Sequence, residues 1–106
     1  MKKNKFNIAI VGLGNIGSNL YRHLVKNKKS IKNKTNVEIN IKYISAKNRS
    51  KKRKIKIPKK KWLKNYLDAS KIGDIDIVVE LIGGSDGAAK NLVFNSLKNK
   101  KHVVTA

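Results

Sequence analysis

Hydrophobic and polar residues change their spacing along this chain, and the changes mark out its predicted elements. Runs that are apolar throughout, or that alternate with polar residues, indicate strands, and apolar residues three or four positions apart indicate helices. The predicted strands lie at 6–11, 37–46, within 74–84 between a short turn and a double glycine, and at 102–106. The predicted helices lie at about 15–28, near 59–70 and from 86 to about 98. The pattern therefore predicts an α/β protein with an open parallel sheet of about four strands and helices on both faces.

Each predicted helix has an apolar face that should pack on the sheet. The inward positions are Ile16, Leu20, Tyr21, Leu24 and Val25 in the first helix, Trp62, Leu63, Tyr66, Leu67 and Ala69 in the second, and Ala88, Ala89, Leu92, Val93, Ser96 and Leu97 in the third. Trp62 and Tyr66, four residues apart, are interpreted as packing residues on one helical face. Residues 29–36 are interpreted as a polar connection, longer than is usual in such a unit.

The first strand runs into a glycine-rich turn, Gly12-Leu13-Gly14-Asn15-Ile16-Gly17. This spacing, between a buried strand and an amphipathic helix, is typical of a turn that binds the pyrophosphate of a dinucleotide. Gly12 would permit the tight turn, Gly14 the approach of phosphates to backbone amides, and Gly17 the packing of helix against strand. An ordinary glycine-rich turn between strand and helix is the alternative.

The end of the second predicted strand carries cations instead of a carboxylate. It reads Ser-Ala-Lys-Asn-Arg-Ser at 45–50. In NAD-binding domains an acidic residue here binds the ribose 2′-hydroxyl, whereas an arginine accommodates the 2′-phosphate of NADP. Lys47 and Arg49 are accordingly candidates for 2′-phosphate recognition, which favours NADP and keeps NAD as the alternative cofactor. A second interpretation places both residues in a solvated run of charge.

A formal charge of +20 raises a different hypothesis. Ten cations lie between Lys47 and Lys61, and basic runs of this kind bind nucleic acid or other polyanions. Lysine far outnumbers arginine and few aromatic residues accompany the run, which favours a solvated basic loop over a shaped nucleic-acid surface. A basic Rossmann-like module that binds a polyanion without catalysis is the alternative function.

Other kinds of chemistry find little support in the sequence. Cysteine is absent, which excludes disulfides, thiolate metal sites and a cysteine nucleophile. His23 and His102 lie in no metal-ligand spacing and are expected at the surface or the edge of the core. Glu80, a carboxylate within the third strand, is expected to be hydrogen-bonded and to organise the adjoining loop. No export signal or membrane-spanning run is visible, so we expect a cytoplasmic protein.

Two segments in the second half carry a more specific pattern than the glycine turn. They read Val-Glu-Leu-Ile-Gly-Gly at 79–84 and Lys-His-Val-Val-Thr-Ala at 101–106. These residues resemble the amino-terminal domain of homoserine dehydrogenase, and the resemblance extends from Ile8 to Ala106. It implies an NAD(P)-binding Rossmann domain over 1–106, with a doubly wound parallel sheet. It also implies an oxidoreductase that interconverts homoserine and aspartate 4-semialdehyde on the route to threonine, methionine and isoleucine.

The resemblance assigns cofactor contacts by position. They are Gly12, Leu13, Gly14, Asn15, Ile16 and Gly17 at the phosphates, Lys47 and Arg49 at the 2′-phosphate, Gly83 and Gly84 in the loop after the family's fourth-strand position, and Thr105 near the nicotinamide. The family's active-site lysine and substrate domain follow this segment, so no catalytic residue is assigned and the 106 residues alone are expected to be inactive. The expected partners are the dinucleotide and, in a longer enzyme, the substrate and further copies of the chain; no nucleic acid or membrane partner is expected.

Overall fold

The computed structural model describes residues 4–53, 55–83 and 87–105. Its strands are β1 (Lys5–Val11), β2 (Glu38–Ser45), β3 (Ile77–Glu80) and β4 (His102–Thr105), and its helices are α1 (Asn15–Lys26), α2 (Lys28–Thr35) and α3 (Ala88–Lys98). All neighbouring strands pair in parallel, in the order β2-β1-β3-β4. This arrangement confirms the predicted parallel sheet of Rossmann type.

Strand β1 lies at the centre of the core because β2 pairs with one of its edges and β3 with the other. Its successive side chains point to opposite faces of the sheet and enter two clusters. The α1 cluster contains Ile8, Ile10, Leu13, Tyr21, Ile41, Ile44 and Val79, and the α3 cluster contains Ala9, Val11, Ala69, Ile75, Val78 and Leu92. Tyr21 joins α1 to the first cluster and Leu92 joins α3 to the second, so the sheet is covered on both faces.

Helix α2 lies where the sequence predicted a polar connection. That prediction was wrong because the helix has one large apolar side chain, Ile31, and buries none of its residues fully. It therefore lacks the apolar face by which a helix is recognised in a sequence. Asn36 ends it with φ of 58°, a left-handed conformation that asparagine tolerates. The connection from β1 to β2 is thus mostly helical, and α1 itself ends at Lys26.

Three of the predicted inward positions are also wrong. Ile16, Val25 and Leu97 are 66%, 56% and 56% exposed. Each lies in the first or last turn of α1 or α3. The predicted inward positions Tyr21, Leu92 and Ser96 are buried, so helical spacing identified the covered face of each helix correctly at these residues.

The segment predicted as a helix at 59–70 instead forms two short 3₁₀ turns, at Lys59–Lys61 and Tyr66–Ser70. Trp62 forms a bridge with Ile44 of β2, and the Leu63 amide donates to the Ile44 carbonyl at 2.9 Å. These contacts hold the chain extended, so Trp62 packs against the α1 cluster and Tyr66 against the α3 cluster. The packing role predicted for both aromatics is confirmed, whereas the prediction that they lie on one face of a helix is wrong.

Most described cations of the basic run are exposed, as expected of a solvated loop, but the run also contacts the sheet. Lys60 is exposed, but Lys61 is half-buried and its Nζ donates to the Ile41 carbonyl at 2.5 Å. Burial, with the neighbouring positive charge of Lys60, lowers the pKa of Lys61. The run therefore packs against β2 at this point, and Ile57 from the same run packs on the α1 cluster.

Among the described residues, no helix has the length and apolar content needed to cross a membrane. Nor does this part of the chain contain three histidine, cysteine, aspartate or glutamate side chains grouped to bind a metal ion. His23 and His102 both lie at the surface, in agreement with the sequence.

Candidate functional site

The candidate site lies at the carboxyl ends of β1, β2 and β3. The chain leaves β1 toward β2 and later returns past β1 to β3, so β1 marks the point at which the winding reverses direction. Open parallel sheets bind ligands in the crevice that forms at such a point. A cavity of about 610 Å³ opens here, within the range of about 300–1,000 Å³ typical of ligand sites. Its walls come from the glycine turn, from residues 45–48, Lys51, Arg53 and residues 63–66, and from Leu81 and Ile82.

Gly12 fixes the floor of the cavity. Its φ is +109°, and a Cβ added there would lie 2.4 Å from the Leu81 carbonyl oxygen. A side chain is therefore excluded both by the backbone conformation and by the close approach of the segment after β3. The Gly12 amide also donates to the Ser45 carbonyl at 2.8 Å, and the Leu81 amide donates to the Val11 carbonyl at 2.8 Å. The turn is thereby held to the segments on both of its sides.

Gly17 and Gly14 have different surroundings. A Cβ at Gly17 would lie 2.0 Å from the Gly12 carbonyl oxygen, which explains the close packing of α1 against the turn. A Cβ at Gly14 would meet no heavy atom of the described residues within 4 Å. Gly14 precedes the first residue of α1, and the helix has neither a side-chain cap nor an acidic residue in its first turn. The orphan amides of this helix end therefore offer an anion site beside open space.

The other turn residues are divided between the cavity and the surface. Leu13 is buried and lines the cavity, whereas Asn15 and Ile16 are exposed in the first turn of α1. The Leu13 carbonyl accepts hydrogen bonds from Ser18 Oγ at 3.3 Å and from Arg53 Nε at 3.2 Å. The carbonyl side of the turn is thus fixed by the protein itself.

The two predicted 2′-phosphate residues lie in different surroundings. Lys47 is exposed and lines the cavity. The guanidinium of Arg49 lies over the Trp62 ring, 5.1 Å from its centroid, and Arg49 is outside the described lining of the cavity. The fold therefore brings Lys47, but not Arg49, to the same cavity as the glycine turn.

Arg53 is a site residue that sequence reasoning missed. It lies in the cavity wall and donates hydrogen bonds to four backbone carbonyls, including that of Leu13. The sequence placed it in a solvated loop, whereas Arg53 is half-buried and its N–H groups are directed at backbone carbonyls. An arginine among lysines was the only available signal. Leu63, Asn65 and Tyr66 were missed as cavity residues for another reason, because their segment was predicted as a helix.

The segment after β3 is organised by the buried carboxylate of Glu80, which is 3% exposed. Glu80 Oε2 accepts from the Ile82 amide at 2.7 Å, and Oε1 accepts from the Thr105 hydroxyl at the end of β4. These bonds agree with the loop-organising role predicted for Glu80. Thr105 is itself exposed at the carboxyl edge of the sheet. Gly83 is exposed with φ of 69°, while the predicted site residue Gly84, like Ala106, lies outside the described residues.

The charged side chains in the described lining of the cavity are all cations. They are Lys47, Lys51, Arg53 and Lys64. A glycine turn at a helix N-terminus, facing a cationic loop across the reversal point of a parallel sheet, defines a dinucleotide-binding Rossmann domain.

Comparison with known proteins identifies the family. Residues 12–106 match the family model described as the NAD-binding domain of homoserine dehydrogenase. The chain therefore belongs to the homoserine dehydrogenase family and corresponds to its NAD-binding domain, as the sequence motifs predicted.

Individual relatives agree with this assignment. Homoserine dehydrogenase of Bacillus subtilis is 31% identical over 99 residues, and that of Neisseria gonorrhoeae is 35% identical over 100 residues. The alignments cover 93% and 94% of this chain but only 23% and 22% of those proteins. The crystal structure of Staphylococcus aureus homoserine dehydrogenase at pH 7.5 superposes with a TM-score of 0.85, at 35% identity, over 95% of this chain and 26% of that one. The Thiobacillus denitrificans enzyme gives a TM-score of 0.80 at 30% identity, over 95% and 23%.

Proposed function

We propose that the cavity binds NADP in preference to NAD. The observation that carries this proposal is the position of Lys47, a cation at the carboxyl end of β2 that lines the same cavity as the glycine turn. The described cavity wall has no carboxylate that could accept a hydrogen bond from a ribose 2′-hydroxyl. A 2′-phosphate would instead meet Lys47, with Arg49 as a second cation of the same loop.

The glycine turn would hold the pyrophosphate. The glycine turn fits this group because the described residues leave open space at Gly14, next to uncapped helix amides. Gly12 and Gly17 shape the turn, and Leu13, Asn15 and Ile16 supply its remaining backbone. In this orientation the nicotinamide would lie toward the segment after β3, where Gly83, Gly84 and Thr105 are proposed to contact it.

The wider function follows from the family. We propose that a protein containing this domain interconverts homoserine and aspartate 4-semialdehyde in the cytoplasm, as an oligomer, on the route to threonine, methionine and isoleucine. The bound dinucleotide would supply the hydride chemistry. Because the 106 residues correspond only to the NAD-binding domain, we expect them to bind the cofactor without turning over homoserine. The comparisons do not favour the alternative of a nucleic-acid-binding module.

Fluorescence titration of the chain with NADPH and NADH, in moderate salt, tests the proposal. We expect saturable binding with tighter association of NADPH. Changing both Lys47→Glu and Arg49→Glu should weaken NADPH at least about tenfold, or about 1.4 kcal/mol, and change NADH much less. The matched control reverses the same two charge types elsewhere, Arg22→Glu with Lys29→Glu, both on exposed helix surfaces.

Three results would contradict the proposal. Unchanged NADPH affinity in the Lys47 and Arg49 double variant would refute the 2′-phosphate assignment. An equal loss in the control would show that only net charge matters. Absence of dinucleotide binding, together with RNA binding that falls steeply with salt, would instead support the nucleic-acid alternative.

A further inference from the structure

The guanidinium of Arg53 joins two parts of the cavity wall. Its Nε donates to the Leu13 carbonyl of the glycine turn at 3.2 Å. Its Nη1 and Nη2 atoms donate to three carbonyls of the loop that follows β2, namely those of Asn48 at 2.8 Å, Lys51 at 3.2 Å and Arg49 at 3.3 Å. Four of the five N–H groups of the guanidinium are therefore directed at backbone oxygens.

These bonds add to local contacts of the same segment, which include hydrogen bonds from the Lys51 amide to the Asn48 carbonyl at 3.3 Å and from Ser50 Oγ to Asn48 Oδ1 at 3.0 Å. Arg53 differs from these contacts because it also reaches the glycine turn. The post-β2 loop, residues 47–51, carries three cations whose mutual repulsion favours an open, mobile conformation. Arg53 adds a fourth positive charge, but its planar donors collect the loop carbonyls around one centre. The guanidinium also donates to the Leu13 carbonyl, which accepts a second hydrogen bond from Ser18 Oγ of α1. The loop and the glycine turn are thereby joined through one side chain.

We infer that Arg53 is a positioning residue that sets the distance between Lys47 and the glycine turn for a ligand bearing both a pyrophosphate and a ribose phosphate. The inference rests on the proposed function. The two anionic groups of such a ligand are attached to the same ribose, so their binding groups must be spaced to match. A loop that is already fixed does not have to be ordered when the ligand binds, which lowers the cost of binding. Because its N–H groups are used on carbonyls, Arg53 acts through Lys47.

A double-mutant cycle between Arg53 and Lys47 tests this inference. The variants are Arg53→Met, Arg53→Lys, Lys47→Met and the Arg53→Met/Lys47→Met pair, each made in the full 106-residue chain. NADPH and NADH affinities are measured by fluorescence titration, and thermal unfolding shows that each variant is folded at the titration temperature. Arg22→Met is the matched control, since Arg22 lies exposed on α1 and contacts Asn19 instead of the cavity.

We expect the two single methionine variants to lose a similar share of NADPH affinity, about tenfold each, with a smaller change for NADH. The double variant should lose no more than either single variant, because Lys47 has no correct position without Arg53. Arg53→Lys should behave like Arg53→Met, since an ammonium cannot reach four carbonyls arranged around a planar fork. This variant keeps the charge and most of the stem, and it carries the test if Arg53→Met does not fold. Arg22→Met should bind both cofactors as the unchanged chain does.

Additive losses in the cycle would overturn the inference, as would full NADPH affinity in Arg53→Lys, which would show that only the charge is needed. Equal losses of NADPH and NADH affinity in a folded Arg53 variant would also overturn it. NADH has no 2′-phosphate, so equal losses would show a general structural effect instead of an effect on 2′-phosphate binding. If the unchanged chain prefers NADPH, any of these results refutes the role of Arg53 but leaves the proposed function intact. A chain that binds neither dinucleotide refutes the proposed function, and the inference with it.

Discussion

Replacing Gly17 by alanine should destabilise the protein, even though alanine is the better helix former. Gly17 lies inside α1, where alanine is favoured over glycine by about 1 kcal/mol. Propensity alone therefore predicts a gain in stability. The structure predicts the opposite, because the new methyl carbon would lie 2.0 Å from the Gly12 carbonyl oxygen.

The steric effect is the larger of the two. Cβ atoms are essentially never found closer than 3.0 Å to such a neighbour, so the helix or the turn must move by at least the difference between 3.0 and 2.0 Å. Inserting a methyl group into a packed site costs about 1–3 kcal/mol, and the upper end applies where the obstacle is backbone that cannot rotate away. Subtracting the propensity gain leaves a net loss of about 2 kcal/mol. For a chain of this size that corresponds to a fall in Tm of about 8–16 °C.

Urea unfolding followed by the fluorescence of Trp62, the single tryptophan, measures the loss directly. Gly14→Ala is the matched control. Its Cβ meets no described heavy atom within 4 Å, so its unfolding free energy should change by less than about 1 kcal/mol. Its NADPH affinity should nevertheless fall, because the methyl group occupies the space proposed for the phosphates. A Gly17→Ala variant as stable as the unchanged chain would refute the packing described between α1 and the turn.

Two further predictions concern lysines. Lys101 is buried, and its Nζ donates to the Ile72 and Ile75 carbonyls at 2.6 and 2.8 Å, so Lys101→Met should lower the unfolding free energy by about 2–3 kcal/mol. Chemical denaturation checks this against exposed Lys98→Met, and equal stability of the two variants would contradict it. The pKa of Lys42 is raised by its hydrogen bond to Asp74, whereas burial lowers that of Lys61. As pH rises through the alkaline range around the ordinary lysine value of 10.5, the folded state thus holds more protons than the unfolded state at Lys42 and fewer at Lys61. As pH rises across that range, the unfolding free energy of the unchanged chain should fall relative to that of Lys42→Met and rise relative to that of Lys61→Met. If both differences changed with pH in the same direction, the opposite pKa shifts of the two lysines would be contradicted.

The sequence predicted the central sheet and the glycine turn because both depend on local pattern. The glycine spacing after the apolar strand β1 is typical of a tight turn into a helix. In β2, apolar and polar residues alternate, so the pattern indicates which side chains face the core. The stretch 59–70 could not be predicted in this way. Its helical spacing is overridden by the hydrogen bond from Leu63 to Ile44, a residue distant in the sequence.

The cavity wall was predictable only in part, for a related reason. Lys47 could be assigned from its position after β2, because the end of a parallel strand has a fixed place in the fold. The role of Arg53 depends on the course of the loop, which brings one guanidinium to carbonyls up to 40 positions away. Side-chain type alone does not distinguish such a residue from its basic neighbours.

The three glycines of the turn are required for different reasons. Gly12 and Gly17 are required by neighbouring backbone, at Leu81 and at Gly12 itself, so folding alone would preserve them. Gly14 has no such neighbour among the described residues. If a related protein no longer bound the cofactor proposed here but kept its fold, Gly14 would be free to change, while Gly12 and Gly17 would still be required. On the proposed contact between Gly14 and the phosphates, the middle glycine would therefore indicate dinucleotide use in a related sequence better than the motif as a whole.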